Sequence, residues 1–252
     1  MGIKKHKKPT GTTGVNYLGD LGPNTLSAFE PTALTGSKSD NEMKVVTSFL
    51  KTAEHVGLKS QTPIIPVQNS EADYDFTLPT SGGEIVLELL ELASSEQMKA
   101  GYISASATHN VLDFCDSIFG QIAEKSTRYA RPKKKRFDLL VYVIHWVFML
   151  SQTCIELLQY WCVTKPHVFD DIYLHLYAGA QGVSFVLFPA PHATLATFDP
   201  ASVRGKKFTN LNPFDWKTGK GDMPRVGPIP PDVPGIFMMG AQIEEGRLPD
   251  GH

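Results

Sequence analysis

Three side chains of this sequence have the types and order that hydrolytic metal chemistry needs. Asp75 lies in Asp-Tyr-Asp-Phe, thirteen residues before Glu88 in Glu-Leu-Leu-Glu-Leu, and Lys125 follows in Ile-Ala-Glu-Lys-Ser-Thr-Arg-Tyr. Two carboxylates brought side by side supply hard oxygen ligands for a divalent cation while leaving coordination positions open. A lysine delivered next to them can orient water or offset charge on a pentacovalent phosphorus. The chemistry these groups would do together is metal-assisted phosphodiester hydrolysis, with Mg2+ or Mn2+ as the expected cofactor. Asp75 and Glu88 are the expected metal ligands and Lys125 the catalytic cation. Glu42 and Glu91 are accessory acids, and strand alternation points Glu91 away from Glu88.

Elements must bring these residues together. Ser39-Asp40-Asn41 offers N-cap chemistry with Glu42 in the first turn, and Val45, Val46, Phe49, Leu50 and Ala53 recur at helical spacing until Gly57. Pro63 to Pro66 reads as extended. Tyr74 to Leu78 and Glu84 to Leu92 read as two strands of a hairpin around Pro79 to Gly83, which brings Asp75 and Glu88 onto neighbouring strands. Glu88 and Leu90 then share a face, with Leu87, Leu89 and Glu91 on the other. A long helix is expected over Ala107 to Tyr129, with an inner stripe of Val111, Phe114, Cys115, Ile118, Phe119 and Ile122. Phe137 to His145 is a buried strand, Ser151 to Cys162 a helix, and Ile172–Tyr177 and Val183–Pro189 two more strands. The order α-β-β-α-β-α-β-β predicts an α/β sandwich with a mixed central sheet. Residues 1–38 are expected as a basic, irregular N-terminal arm, 39–189 as the α/β domain, and 190–252 as a Pro/Gly-rich extended tail.

The rest of the composition narrows the classes. With 252 residues, 42% hydrophobic and 20% charged, the chain can bury a sizeable core. Three cysteines are too few and wrongly spaced for a disulfide framework or a four-thiolate zinc site, which fits a reducing, cytoplasmic setting. No apolar segment follows the basic N-terminus, and Phe137 to Val163 is broken by Asp138, His145, Glu156 and Gln159, so no membrane association is expected. No Gly-x-Ser-x-Gly elbow, HExxH pair or phosphate-cradling glycine loop is present. His145 is expected as a hydrogen-bonded core histidine.

A net charge of −2 hides an uneven distribution. Arg128, Arg131, Lys133, Lys134, Lys135 and Arg136 place six cations within nine residues, between the helix of Lys125 and the buried strand. Nucleic acid is therefore the expected partner, with the run meeting phosphates and Tyr129 and Phe137 available for stacking. Lys4, Lys5, Lys7 and Lys8 add an electrostatic arm.

The arrangement resembles the PD-(D/E)XK nuclease superfamily, in which a helix, an acidic hairpin, a second helix and a buried strand follow one another. Asp75-Phe76 matches the motif aspartate and Glu88 the motif glutamate, and DFTL, ELLEL, KSTRY and DLLVYV match short runs seen in members of that superfamily. The resemblance spans about residues 42–190 and implies a restriction-endonuclease-like fold and nuclease activity. One position departs from the motif: Leu90 stands where the motif lysine belongs, and some members supply that lysine from the following helix, which here is Lys125. The alternative expectation is a degenerate, non-catalytic member acting as an interaction or assembly subunit, with homo-oligomers formed through Phe198, Phe208, Phe214 and Trp216 of the tail.

Overall fold

The computed structural model describes residues 12–18, 27–34, 36–58, 63–70, 74–92, 107–129, 135–177, 182–210 and 242–245. In chain order its elements are β1 (Thr12–Leu18), β2 (Ser27–Ala33), α1 (Lys38–Lys51), β3 (Val67–Gln68), β4 (Phe76–Thr80), β5 (Gly83–Glu91) and β6 (Ala107–Asn110). There follow α2 (Val111–Arg128), β7 (Arg136–Val143), α3 (Gln152–Thr164), β8 (Asp171–Leu176), β9 (Val183–Phe188), α4 (His192–Thr197), β10 (Lys207–Asn210) and β11 (Gln242–Glu245). Short 3-10 turns occupy Ala53–Val56, Trp146–Phe148 and Pro200–Val203.

The central sheet has six strands in the order β3-β4-β5-β7-β8-β9. It is mixed: β5, β7 and β8 are parallel, and β3, β4 and β9 join antiparallel. Helices cover both faces. Leu139, Val141 and Val143 of β7 enter one core with Cys115, Ile118 and Ile122 of α2 and Cys154, Leu157 and Leu158 of α3. Leu140 and Tyr142 enter the other core with Val45, Val46 and Phe49 of α1. Central strands buried on both sides read as continuous apolar runs, as FDLLVYV does.

Local chemistry explains the element ends. Ser37 caps α1 in a reciprocal pair with Asp40: the Ser37 Oγ accepts from the Asp40 N–H at 3.1 Å, and the Asp40 carboxylate accepts from the Ser37 N–H at 3.0 Å. The expected cap at Ser39 thus moves two residues toward the N-terminus. Gly57 closes the following turn with φ of +80°, a left-handed conformation that favours glycine. The β4–β5 hairpin turns tightly on Ser81-Gly82, so Pro79 and Thr80 belong to the strand rather than the turn. Pro79 is tolerated because β3 pairs only with Phe76 and Thr77 and leaves the outer edge of β4 open beyond them.

Three expectations are corrected. The helix expected from Ala107 starts at Val111, because Ala107–Asn110 pair as a strand with Lys207–Asn210; Asn110 instead caps α2, its Oδ1 accepting from Leu112 N at 2.9 Å. The segment read as irregular before residue 38 contains the antiparallel hairpin of β1 and β2. The domain boundary at 189 cuts through the folded unit, since Val203 and Phe208 are fully buried in the core of α2 and α3. The Asn210 amide locks that connection, donating to Val147 O at 2.7 Å and Met149 O at 3.1 Å. Among the described residues no helix is long and apolar enough to cross a membrane.

Candidate active site

Asp75 directly precedes β4, and its Oδ2 accepts from the Leu89 N–H of β5 at 2.8 Å. That bond fixes the aspartate level with Glu88 across the hairpin. Glu88 points from β5 toward α2 and is 0% exposed. Lys125, in the last turn of α2, extends its ammonium onto the Glu88 Oε2 and stands 3.5 Å from the Asp75 Oδ2. A cation at that end of a helix also meets the partial negative charge of the terminal carbonyls. The three residues singled out in the sequence therefore meet, although Lys125 lies thirty-seven positions after Glu88.

The electrostatics of Glu88 follow from its depth. Burial pushes its carboxyl up to about 7, against the pull of Lys125 and with the charge of Asp75 adding to the rise. Its Oε1 is buried without a hydrogen-bond partner among the described residues.

Glu42 and Glu91 approach the same end of the sheet from the α1 side. Glu42 pairs with Lys38 at 3.2 Å, and burial raises its carboxyl despite that partner. Glu91 is pushed up to about 7, first by burial and then by Glu42, while the Tyr142 hydroxyl donates to it. The β5–β7 register sets Glu91 beside Tyr142 without a bulge, so Glu91 stays on the face opposite Glu88. Glu42 also feels Asp75 and Lys125. Asp75 and Glu88 thus meet Lys125 on one side of β5, while Glu91 and Glu42, with Lys38, lie on the other.

Tyr129 joins the site as the residue that ends α2. Its hydroxyl bonds with Glu88, the Lys125 ammonium stands 5.7 Å from its ring centroid, and burial followed by Glu88 raises its phenol. The signal in the sequence was its position four residues after Lys125, one helical turn on. Phe137, expected to offer a stacking face, is corrected: it is fully buried against Tyr74 at 5.1 Å and Phe169 at 5.0 Å. His145 is buried, accepts from Val147 N at 3.2 Å and is pushed down to about 4 by burial, as a core histidine should be.

The basic run contributes less free charge than its count suggests. Arg128 pairs with Glu124, and Lys135 with Glu84 at 2.6 Å. Arg136 is held by Asp138 at 2.9 Å, by Asp171 and by the Tyr173 hydroxyl at 2.6 Å. Each of these three cations has an acidic partner in its own chain, Arg136 the most deeply held. Arg131, Lys133 and Lys134 lie outside the described residues, as do Phe214 and Trp216.

Among the described residues no group of three or more His, Cys, Asp or Glu side chains forms a metal cage. Asp75 and Glu88, with the unpartnered Oε1, nonetheless fit a Mg2+-type ion, which keeps several waters and takes one or two carboxylates. Comparisons with family models, curated proteins and solved structures find no match to this chain.

Proposed function

We propose that this chain is an intracellular metal-dependent nuclease of the PD-(D/E)XK type, hydrolysing phosphodiester bonds of nucleic acid. The observation that carries this reading is the meeting of Lys125 with Asp75 and Glu88. A parallel β5–β7 pair crossed by α2, with an antiparallel acidic hairpin before it, also supports a restriction-endonuclease-like core.

A divalent cation would supply Lewis acidity at the phosphoryl oxygen and a more acidic water. Asp75 and Glu88 would hold it. The Leu89 N–H keeps Asp75 in place by holding one of its oxygens. Lys125 takes over the work of the motif lysine that Leu90 lacks, offsetting charge as the phosphorus becomes pentacovalent and orienting the attacking water. Tyr129, whose hydroxyl bonds with Glu88 and whose ring lies beside Lys125, would help to hold that carboxylate in place.

Incubation with plasmid DNA and with RNA in Mg2+ or Mn2+, beside the Asp75→Ala/Glu88→Ala double variant, tests the reading. The wild type is expected to cleave at least one of them, and the variant to lose activity by about a hundredfold or more. Equal cleavage by both proteins, or none by either, overturns it. The alternative assembly role loses Phe208 to the fold itself, because it is fully buried in this chain's core, while Phe198 is half-buried beside Tyr160 at 5.9 Å.

A further inference from the structure

A cavity lies farther along the β5–α2 seam on which Glu88 and Lys125 meet. Because β5 and β7 are parallel, α2 returns antiparallel to β5, and residues late in the helix lie over earlier residues of the strand. Lys125 meets Glu88 at one end of this seam. Farther along, Leu92 just beyond β5 and Ser117, Ile118 and Gln121 of α2 line a cavity of about 340 Å³ together with His109, Asn110, Phe114 and Phe148. Gln121, at its near edge, is one helical turn from Lys125, about 6 Å along the axis, and Phe114 is eleven residues from Lys125, about 16 Å along it. The distance to Phe114 is on the order of two to three nucleotide spacings in an extended strand.

The lining suits one part of a nucleotide better than the other. Among the described residues no Lys or Arg lines the cavity, and Asp113 stands on its rim, so a phosphate would be repelled there. The floor is apolar, and the His109 and Phe114 rings lie 4.6 Å apart at 49° beside Phe208, a stacking surface of the kind that takes unpaired bases. Polar edges complete it. The Asn110 Oδ1 is committed to capping α2, which leaves its amide nitrogen as a donor. The Gln121 amide nitrogen donates to Ser117 O at 3.3 Å, which leaves the carbonyl oxygen as an acceptor. The His109 Nε2 donates to Val147 O, which leaves Nδ1 as an acceptor.

We propose that this cavity receives a nucleobase two or three positions from the scissile phosphate, and that the substrate is therefore single-stranded nucleic acid or a frayed end. A base stacked within a duplex cannot enter a cavity of this kind without leaving its stack. The inference rests on the nuclease reading for its scissile phosphate, but its test does not depend on cleavage.

The test measures binding by fluorescence anisotropy in an Asp75→Asn/Glu88→Gln background, with labelled single-stranded DNA, single-stranded RNA and the matching DNA duplex as probes. Ser117 is exposed, so Ser117→Trp fills the cavity from the helix surface without entering the core. Single strands are expected to bind more tightly than the duplex. Ser117→Trp is expected to weaken single-strand binding about tenfold or more while leaving duplex binding unchanged. The DNA and RNA arms identify which strand is preferred. Unchanged single-strand affinity in Ser117→Trp, equal losses for strand and duplex, or no single-strand binding at all overturns the proposal. If Ser117→Trp fails to fold, photo-crosslinking of an iodouridine-containing single strand decides, with adducts expected on the peptide that holds His109 and Phe114. Adducts elsewhere only, or none, overturn it. Absence of cleavage by the wild type with the binding pattern intact would count against the nuclease reading and leave the cavity assignment standing.

Discussion

Leu90 and Lys125 both lie on the Glu88 side of β5, and of the two only Lys125 carries a charge. Leu90 shares the Glu88 face of β5 and packs at the edge of the core, while Lys125 reaches the same carboxylate from α2. Lys125→Ala is expected to lower cleavage by about 10²–10³-fold, the usual loss for removing one transition-state charge partner. Adding Leu90→Lys to that variant is expected to restore part of it, because a lysine at 90 projects from the same side of the strand as Glu88. Single-turnover cleavage by both variants measures this, and no recovery in the double variant would count against interchangeable lysines. The pH response follows from Glu88. Its carboxyl is raised to about 7, so below that pH a proton competes with the cation for the oxygens. Affinity for Mn2+, measured by calorimetry, is expected to rise with pH across roughly 6 to 8, and a flat profile would contradict the role given to Glu88.

At the level of elements, the late strand β10 decides how the middle of the chain folds. It pairs with β6 on one side and β11 on the other, and it inserts Phe208 beside His109 and Phe114. Phe208→Ala should cost about 3–5 kcal/mol, the usual range for an aromatic removed from a packed core. Urea unfolding checks this, with a loss below about 1 kcal/mol as the contrary result. Cleavage between residues 189 and 210 should be destabilising for the same reason, whatever lies beyond. The ion pairs of Lys135 with Glu84 and of Arg136 with Asp138 and Asp171 anchor the start of β7 beside β5 and β8. Their work is to fix strand ends.

Across the whole molecule, buried ionisable groups pull stability in opposite directions with pH. Glu91 has a folded value of about 7 against an ordinary 4.5. Between those values the folded chain keeps a proton that the unfolded chain has released, so stability falls as pH rises through the window. His145 and His175 are both pushed down to about 4 by burial from an ordinary 6.5. Their contribution is present above 6.5 and is lost as pH falls toward 4. Glu91→Gln should therefore raise the melting temperature by roughly 2–4 °C at pH 8, with little gain at pH 4.5. Thermal unfolding at both pH values tests the sign, and an equal gain at both would point to packing rather than charge.

How much was legible depends on the range over which each feature is encoded. Apolar periodicity and glycine turns marked α1, the acidic hairpin, α2, β7, α3, β8 and β9, because neighbouring residues produce those patterns. The residue types at Asp75, Glu88 and Lys125 were also readable, as was the opposite facing of Glu91, since strand alternation is local. The pairing of Ala107–Asn110 with Lys207–Asn210 was not, because a hundred residues separate the two segments and each looks like something else alone. The neutralisation of Arg136 by Asp171 was hidden for the same reason. By itself the sequence determined which residues could do chemistry and which short segments would carry them. Only the tertiary structure decided that Lys125 reaches Glu88, that the basic run is partly spent on internal pairs, and that Phe208 belongs to the core. Those outcomes depend on packing between segments far apart in the chain, where contact is set by the shape of the whole sheet and its helices.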